Sequence, residues 1–106
     1  MLLAQKITHC GDVCTVPAAL LEFLSQAGIG HGIDDWRNHI APCVEFSAAP
    51  YHLQIWINPD RPERREFDGM SRYVLSCYRA DGEYVSDLIE TDCEDELLEM
   101  VRRIGG

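Results

Sequence analysis

No apolar run in this 106-residue sequence approaches the roughly 20 residues that a membrane span requires. The longest, from Val16 to Leu24, is broken by Glu22. The N-terminal stretch Met1 to Lys6 places its only base after the apolar residues, unlike a secretory leader. These absences lead to the expectation of a soluble, cytoplasmic protein with no membrane partner. Positive charge is also scarce: 9 Lys and Arg stand against 18 Asp and Glu, for a formal net charge of -9 and a pI near 4.7. That imbalance disfavours direct capture of nucleic-acid phosphates or anionic lipid, so the expected partner is neutral or basic.

Paired cysteines are missing as well. Cys10, Cys14, Cys43, Cys77 and Cys93 are odd in number and scattered, which reads as reduced thiols rather than a disulfide framework. His9-Cys10 and Cys14 lack the second tight ligand pair of a structural zinc site. No G-x-S-x-G, H-E-x-x-H, P-loop or EF-hand pattern occurs. Gly28-Ile29-Gly30-His31-Gly32 follows a helix instead of a strand and has no lysine, so it is a helix terminus and connection. No catalytic residue, metal ligand set or cofactor is assigned.

The length suits one domain over residues 1-106 with a single modest core. Thr15 to Gly28 combines a capping hydroxyl, an early proline and a terminal glycine, with Val16, Leu20, Phe23, Leu24 and Ala27 on one stripe of a helix. Ile33, Trp36 and Ile40 fit a second, short helix. The period then changes to two. Val44 and Phe46 form one strand, and Leu53, Ile55 and Ile57 another. Arg64 to Asp68 is expected as a short polar edge strand after a proline-containing loop. Asp81-Gly82 between two alternating segments predicts a hairpin with a type I′ turn, pairing Leu75 with Leu88 and Val74 with Ile89. Thr91 and Glu94 form a capping-box pattern ahead of a helix over about 93-104, with Leu97, Leu98, Val101 and Ile104 as its stripe. The expected fold is α+β: an antiparallel four- to five-stranded sheet packed against N-terminal and C-terminal helices in a two-layer sandwich.

Charge is distributed unevenly. Between Asp81 and Glu99 lie nine acids and no Lys or Arg, which leaves nine acids against all nine bases elsewhere. Concentrated negative charge steers a basic partner. The competing reading is a solvated helix face whose first-turn acids serve the helix dipole. Arg61, Arg64, Arg65 and Arg72 cluster around the proline loop, either as a second contact patch or as internal partners of acids such as Glu63, Glu66 and Asp68. Trp56 falls on the polar phase of its strand. It is either an exposed anchor beside the acidic region or part of a second covered face.

In size, in its strand, Asp-Gly turn, strand and acidic helix from Arg72 to Ile104, and in its lack of catalytic motifs, the chain resembles the small acidic immunity proteins that bacteria encode beside their toxins. The resemblance implies stoichiometric neutralisation of a toxin, often a nuclease, whose basic or catalytic cleft the acidic strand and helix cover. The candidate partner-binding residues are Asp87, Glu90, Asp92, Glu94, Asp95, Glu96 and Glu99 for attraction, with Trp56 and Tyr78 for anchoring. The alternatives are a phage-type nucleic-acid mimic of the anti-CRISPR or anti-restriction kind, an acidic homodimeric adaptor or secretion chaperone, and a small thiol enzyme.

Overall fold

The computed structural model describes residues 4-35, 41-65 and 69-105. The chain begins with a hairpin of β1 (Gln5–His9) and β2 (Asp12–Val16) and continues into helix α1 (Ala18–Gln26). Strands β3 (His31–Asp34), β4 (Cys43–Ala48), β5 (Tyr51–Ile57), β6 (Tyr73–Arg79) and β7 (Tyr84–Thr91) follow, and helix α2 (Glu94–Gly105) closes the chain. The five later strands form one antiparallel sheet in sequential order, with β3 and β7 at its edges.

Alternation decides what the sheet buries. Val44 and Phe46, Leu53, Ile55 and Ile57, and Tyr73, Leu75 and Cys77 share one face and join Leu20, Leu21 and Leu24 of α1 and Leu97, Leu98 and Val101 of α2 in a single core. Each such fully buried aliphatic or aromatic side chain contributes roughly 1.5–3 kcal/mol of transfer free energy. Leu97 and Val101 are fully buried, as their helical spacing requires, whereas the acids and bases of α2 stay exposed.

Several expectations are revised. The N-terminal hairpin was not legible because its two-residue turn is Cys10-Gly11, and cysteine is not a residue that signals positive φ. Both turn residues nonetheless have it, with φ of 51° at Cys10 and 86° at Gly11. Conversely, Asp81-Gly82 does not form a type I′ turn. Gly82 N–H donates to the Arg79 carbonyl at 2.9 Å and Gly82 alone carries positive φ, 91°, which makes a three-residue loop of Ala80, Asp81 and Gly82. The Asp81 carboxylate accepts the Glu83 N–H at 2.9 Å, an Asx contact that holds Asp81 at negative φ.

The longer loop and two irregularities change the hairpin register. Ser76 pairs with Asp87 and Cys77 with Ser86, as expected, but Leu75 pairs with Ile89 and Val74 with Glu90. Val85 and Leu88 are the extra residues in β7, and both stay exposed. Ile33 and Asp34, placed in the short helix by the pattern, belong to β3 and pair with Val44 and Cys43. Residues 36-40 of that segment, with Trp36 and Ile40, lie outside the described residues. Arg64 ends a 3-10 turn over Pro62–Arg64 instead of starting a strand, and residues 66-68 are likewise outside the described residues.

Thr15 does not cap α1. It sits in β2, where its N–H and hydroxyl both donate to the Asp60 carboxylate, and Pro17 is the N-cap with no side-chain bond. Asp60 thereby ties the N-terminal hairpin to the loop after β5, and its own N–H donates to the Val13 carbonyl at 2.8 Å. At α2 the hydroxyl of Thr91 accepts the Cys93 N–H and donates to Glu96, so Glu96 rather than Glu94 is its side-chain partner.

Replacing Cys10 by Asn should stabilise the protein by roughly 0.5–1 kcal/mol, since Asn tolerates the left-handed region that strains cysteine, while Gly82→Ala should destabilise it by a similar amount. Urea midpoints of the two variants check both signs. Leu97→Ala, which opens a cavity at the centre of the core, should cost about 2–5 kcal/mol in the same measurement.

Candidate functional site

The second face of the sheet carries a different chemistry. Reading across the strands, the residues opposite one another form three rows. Asp34, Cys43, Trp56, Val74 and Glu90 make the first, and Gly32, Glu45, Gln54, Ser76 and Asp87 the second. Ser47, His52, Tyr78 and Tyr84 make the third. These positions hold four carboxylates and three large aromatics, and neither a lysine nor an arginine.

Neighbouring side chains hold two of the carboxylates in place. Gln54 Nε2 donates to Glu45 Oε1 at 3.2 Å, and Ser76 Oγ donates to Asp87 Oδ1 at 2.7 Å. Tyr78 and Tyr84 meet edge to face with ring centroids 5.7 Å apart, the geometry that aromatic quadrupoles favour. The Tyr84 phenol is raised above its ordinary pKa by desolvation first and by its hydrogen bond and charge interaction with Asp87 next. Tyr84 is nonetheless half-exposed at 54 %, and Trp56 and Tyr78 are partly covered.

Among the described residues, one group of three side chains is close enough to share a metal ion: Asp34, Cys43 and Glu45, with ligand atoms within 4.8 Å of one another. Burial pushes the Cys43 thiol up to about 12, with Glu45 and Asp34 adding to the shift, so at neutral pH the thiol keeps its proton and points it at Glu45 Oε1, 3.9 Å away. Cys14, paired with Ile7 in the N-terminal hairpin, is raised to about 11 by burial and then by Asp60 and Asp12. Both shifts run opposite to the depressed pKa of a nucleophilic thiol.

The nine expected contact residues do not form one surface. Trp56, Tyr78, Asp87 and Glu90 lie together on the outer sheet face. Glu94, Asp95, Glu96 and Glu99 lie on α2, whose buried residues pack into the core on the opposite side of the sheet. Asp92 accepts the Arg72 N–H at 2.6 Å and pairs at 3.1 Å with Arg65, whose side chain is only 6 % exposed. The Asp92 carboxylate itself stays 71 % exposed. Glu99 pairs with Arg103 one turn away, an exposed contact worth little.

Each arginine of the cluster also meets an acid of the chain, but Arg61 and Arg64 stay more than half exposed. Arg61 pairs with Glu63, Arg64 with Asp12, Arg65 with Asp92 and Arg72 with Asp60, at 2.6 to 3.4 Å. Asp34, Glu45, Gln54 and Tyr84 are the members of the outer face that sequence reasoning missed. The polar phase of β4 and β5 already signalled Glu45 and Gln54, whereas the outward position of Tyr84 follows from the three-residue loop, which the Asp-Gly pattern does not distinguish from a two-residue one. No protein-family model, curated protein or solved structure matches the chain.

The two raised thiols make a pH prediction. A folded pKa above the unfolded value of 9.0 stabilises the protein fully below pH 9, and that contribution disappears as pH rises through the folded values of about 11 and 12. Denaturant midpoints measured under reducing conditions should therefore fall between pH 9 and pH 12, less steeply for Cys43→Ala than for the wild type. Equal slopes for the two proteins would show that Cys43 ionises as easily in the fold as out of it.

Proposed function

We propose that the protein is a non-catalytic inhibitor that neutralises a basic protein partner, such as a toxin or nuclease, and that it binds through the outer face of its sheet. The observation that carries this reading is the composition of that face: Asp34, Glu45, Asp87 and Glu90 surround Trp56, Tyr78 and Tyr84 with no lysine or arginine among them. Aromatic side chains supply the buried anchoring of a protein interface, and carboxylates of one sign accelerate encounter with a basic surface. In this reading the fold is a two-layer sandwich, with α1 and α2 on the core face and the outer face left to the partner. Stoichiometric neutralisation is also what the resemblance to small acidic immunity proteins implies, and the cytoplasm is the compartment in which five free thiols stay reduced.

The nucleic-acid mimic fits less well. A mimic of a duplex needs about one negative charge per 1.7 Å of axis. Glu45 and Asp87 are three strand spacings apart, roughly 14 Å, with only Gln54 and Ser76 between them in their row. Homodimerisation through this face is opposed by its own charge, because a two-fold contact sets identical acidic patches against each other.

The test is to immobilise the protein, pass lysate of its source organism over it at low salt, and elute with rising salt. Support requires that a basic protein elute, that it form a stoichiometric complex when purified, and that the complex suppress its activity. Asp87→Asn with Glu90→Gln should then slow association roughly five- to tenfold at low salt, and Trp56→Ala should mainly accelerate dissociation. Neutralising Glu94, Asp95, Glu96 and Glu99 by amides should have a smaller effect on the rate. A larger effect from α2 than from the sheet would move the interface to the helix.

A further inference from the structure

The outer face offers its carboxylates at a defined separation. Glu45 and Asp87 occupy the two ends of one row across β4, β5, β6 and β7, so their backbone positions are three strand spacings, roughly 14 Å, apart. Each is already oriented by a neighbour, Glu45 by Gln54 and Asp87 by Ser76. An ionised carboxylate has about four acceptor sites, so both keep capacity for an incoming N–H. Orientation before binding removes part of the ordering cost that a flexible surface acid incurs.

On this basis, and resting on the reading of the outer face as the binding surface, we propose that the partner presents an extended segment carrying two arginines four residues apart. An extended chain advances about 3.4 Å per residue, so two side chains on the same side and four residues apart are separated by roughly 14 Å, the span from Glu45 to Asp87. A helix matches poorly. It needs about nine residues at 1.5 Å each to cover that distance, which turns the second base half a turn away from the sheet. Arginine fits better than lysine because Trp56 borders the row on one side and the Tyr78–Tyr84 pair on the other, and a guanidinium binds carboxylates bidentately while stacking on aromatic rings. A second copy of this chain is a poor occupant, since the described positions of the face bear no lysine or arginine of their own. Pairing along the edge of β7 is also disfavoured, because the Val85 and Leu88 bulges interrupt the regular ladder that an added strand needs.

The probes are blocked peptides of equal composition, rich in Thr and Val, with two arginines placed either four residues apart, adjacent, or three apart on opposite sides of the chain. Binding to the full chain is measured by titration calorimetry at low salt, with amide chemical shifts locating the contact. The four-apart peptide should bind roughly fivefold or more tightly than the others, and shifts should concentrate on β4 to β7. Glu45→Gln and Asp87→Asn, each checked for unchanged thermal unfolding, should erase the spacing preference. Replacing both arginines by lysine should weaken binding several-fold.

Equal affinity at all spacings, or no binding of any peptide, would overturn the extended two-arginine segment. If Asp87→Asn and Glu90→Gln still slowed association of the purified basic partner, the broader reading of the face would survive that result. Indifference of the partner to Asp87, Glu90 and Trp56 substitutions would remove both. Lysine peptides equal to arginine peptides would overturn the choice of guanidinium.

Discussion

The sheet buries one face in the core, so each strand must direct its apolar side chains there, and in β7 the three-residue loop and two extra residues decide which polar side chains reach the other face. Ile89 and Thr91 reach the core side opposite Leu75 and Tyr73, while Tyr84, Asp87 and Glu90 reach the other side opposite Tyr78, Ser76 and Val74. Without the bulges at Val85 and Leu88, strict alternation from Tyr84 would place Ser86, Leu88 and Glu90 together on the outer face and send Asp87 to the core side. The bulges therefore bring Asp87 to the outer face between Tyr84 and Glu90 while leaving Ile89 and Thr91 on the core side. They also interrupt an edge strand that would otherwise present a regular row of unpaired backbone groups.

A second constraint acts on charge. Most of the acids concentrated after Asp81 do not share one environment. Asp92 holds the Arg72 backbone and the nearly buried Arg65 guanidinium, and Glu96 holds the Thr91 hydroxyl at the entry to α2. These contacts pin β7 and α2 to the loop before β6. Asp87 and Glu90 point instead from the outer sheet face, beside aromatics contributed by β5 and β6. A cluster that is continuous along the chain is thus divided by the thickness of the sheet. Part of it maintains the fold, and part of it forms a surface with the composition of a protein-binding site.

The N-terminal hairpin shows the same dependence on long-range contacts. Its strands are short and its turn uses a strained cysteine, so local preference alone gives it little stability. Asp60 compensates by accepting both the N–H and the hydroxyl of Thr15, 45 residues away in sequence. Cys14 and Val16 bury against the core at the same time. Arg65 and Arg72 are drawn into this framework by Asp92 and Asp60, whereas Arg61 and Arg64 hold their acids at the surface.

Periodicity was sufficient for the elements whose signal is local. The stripe of Leu97, Leu98 and Val101, the alternation of Leu53, Ile55 and Ile57, and the class of the fold could all be read from residue types, because a period of 3.6 or 2 leaves only one face to bury. The position of Trp56 on the polar phase of β5 was legible for the same reason. Turn type, register and partnership were not. Cys10 carries no signal for positive φ, Asp81-Gly82 fits two loop geometries, and a bulge adds a residue without any characteristic composition. Which acids pair with which arginines depends on segments brought together only by folding. The sequence by itself therefore determined an acidic α+β domain with an aromatic on its polar strand face. The tertiary structure decided that Glu45, Trp56, Tyr78, Tyr84, Asp87 and Glu90 share one surface, because strand register is set by contacts between residues that are distant along the chain.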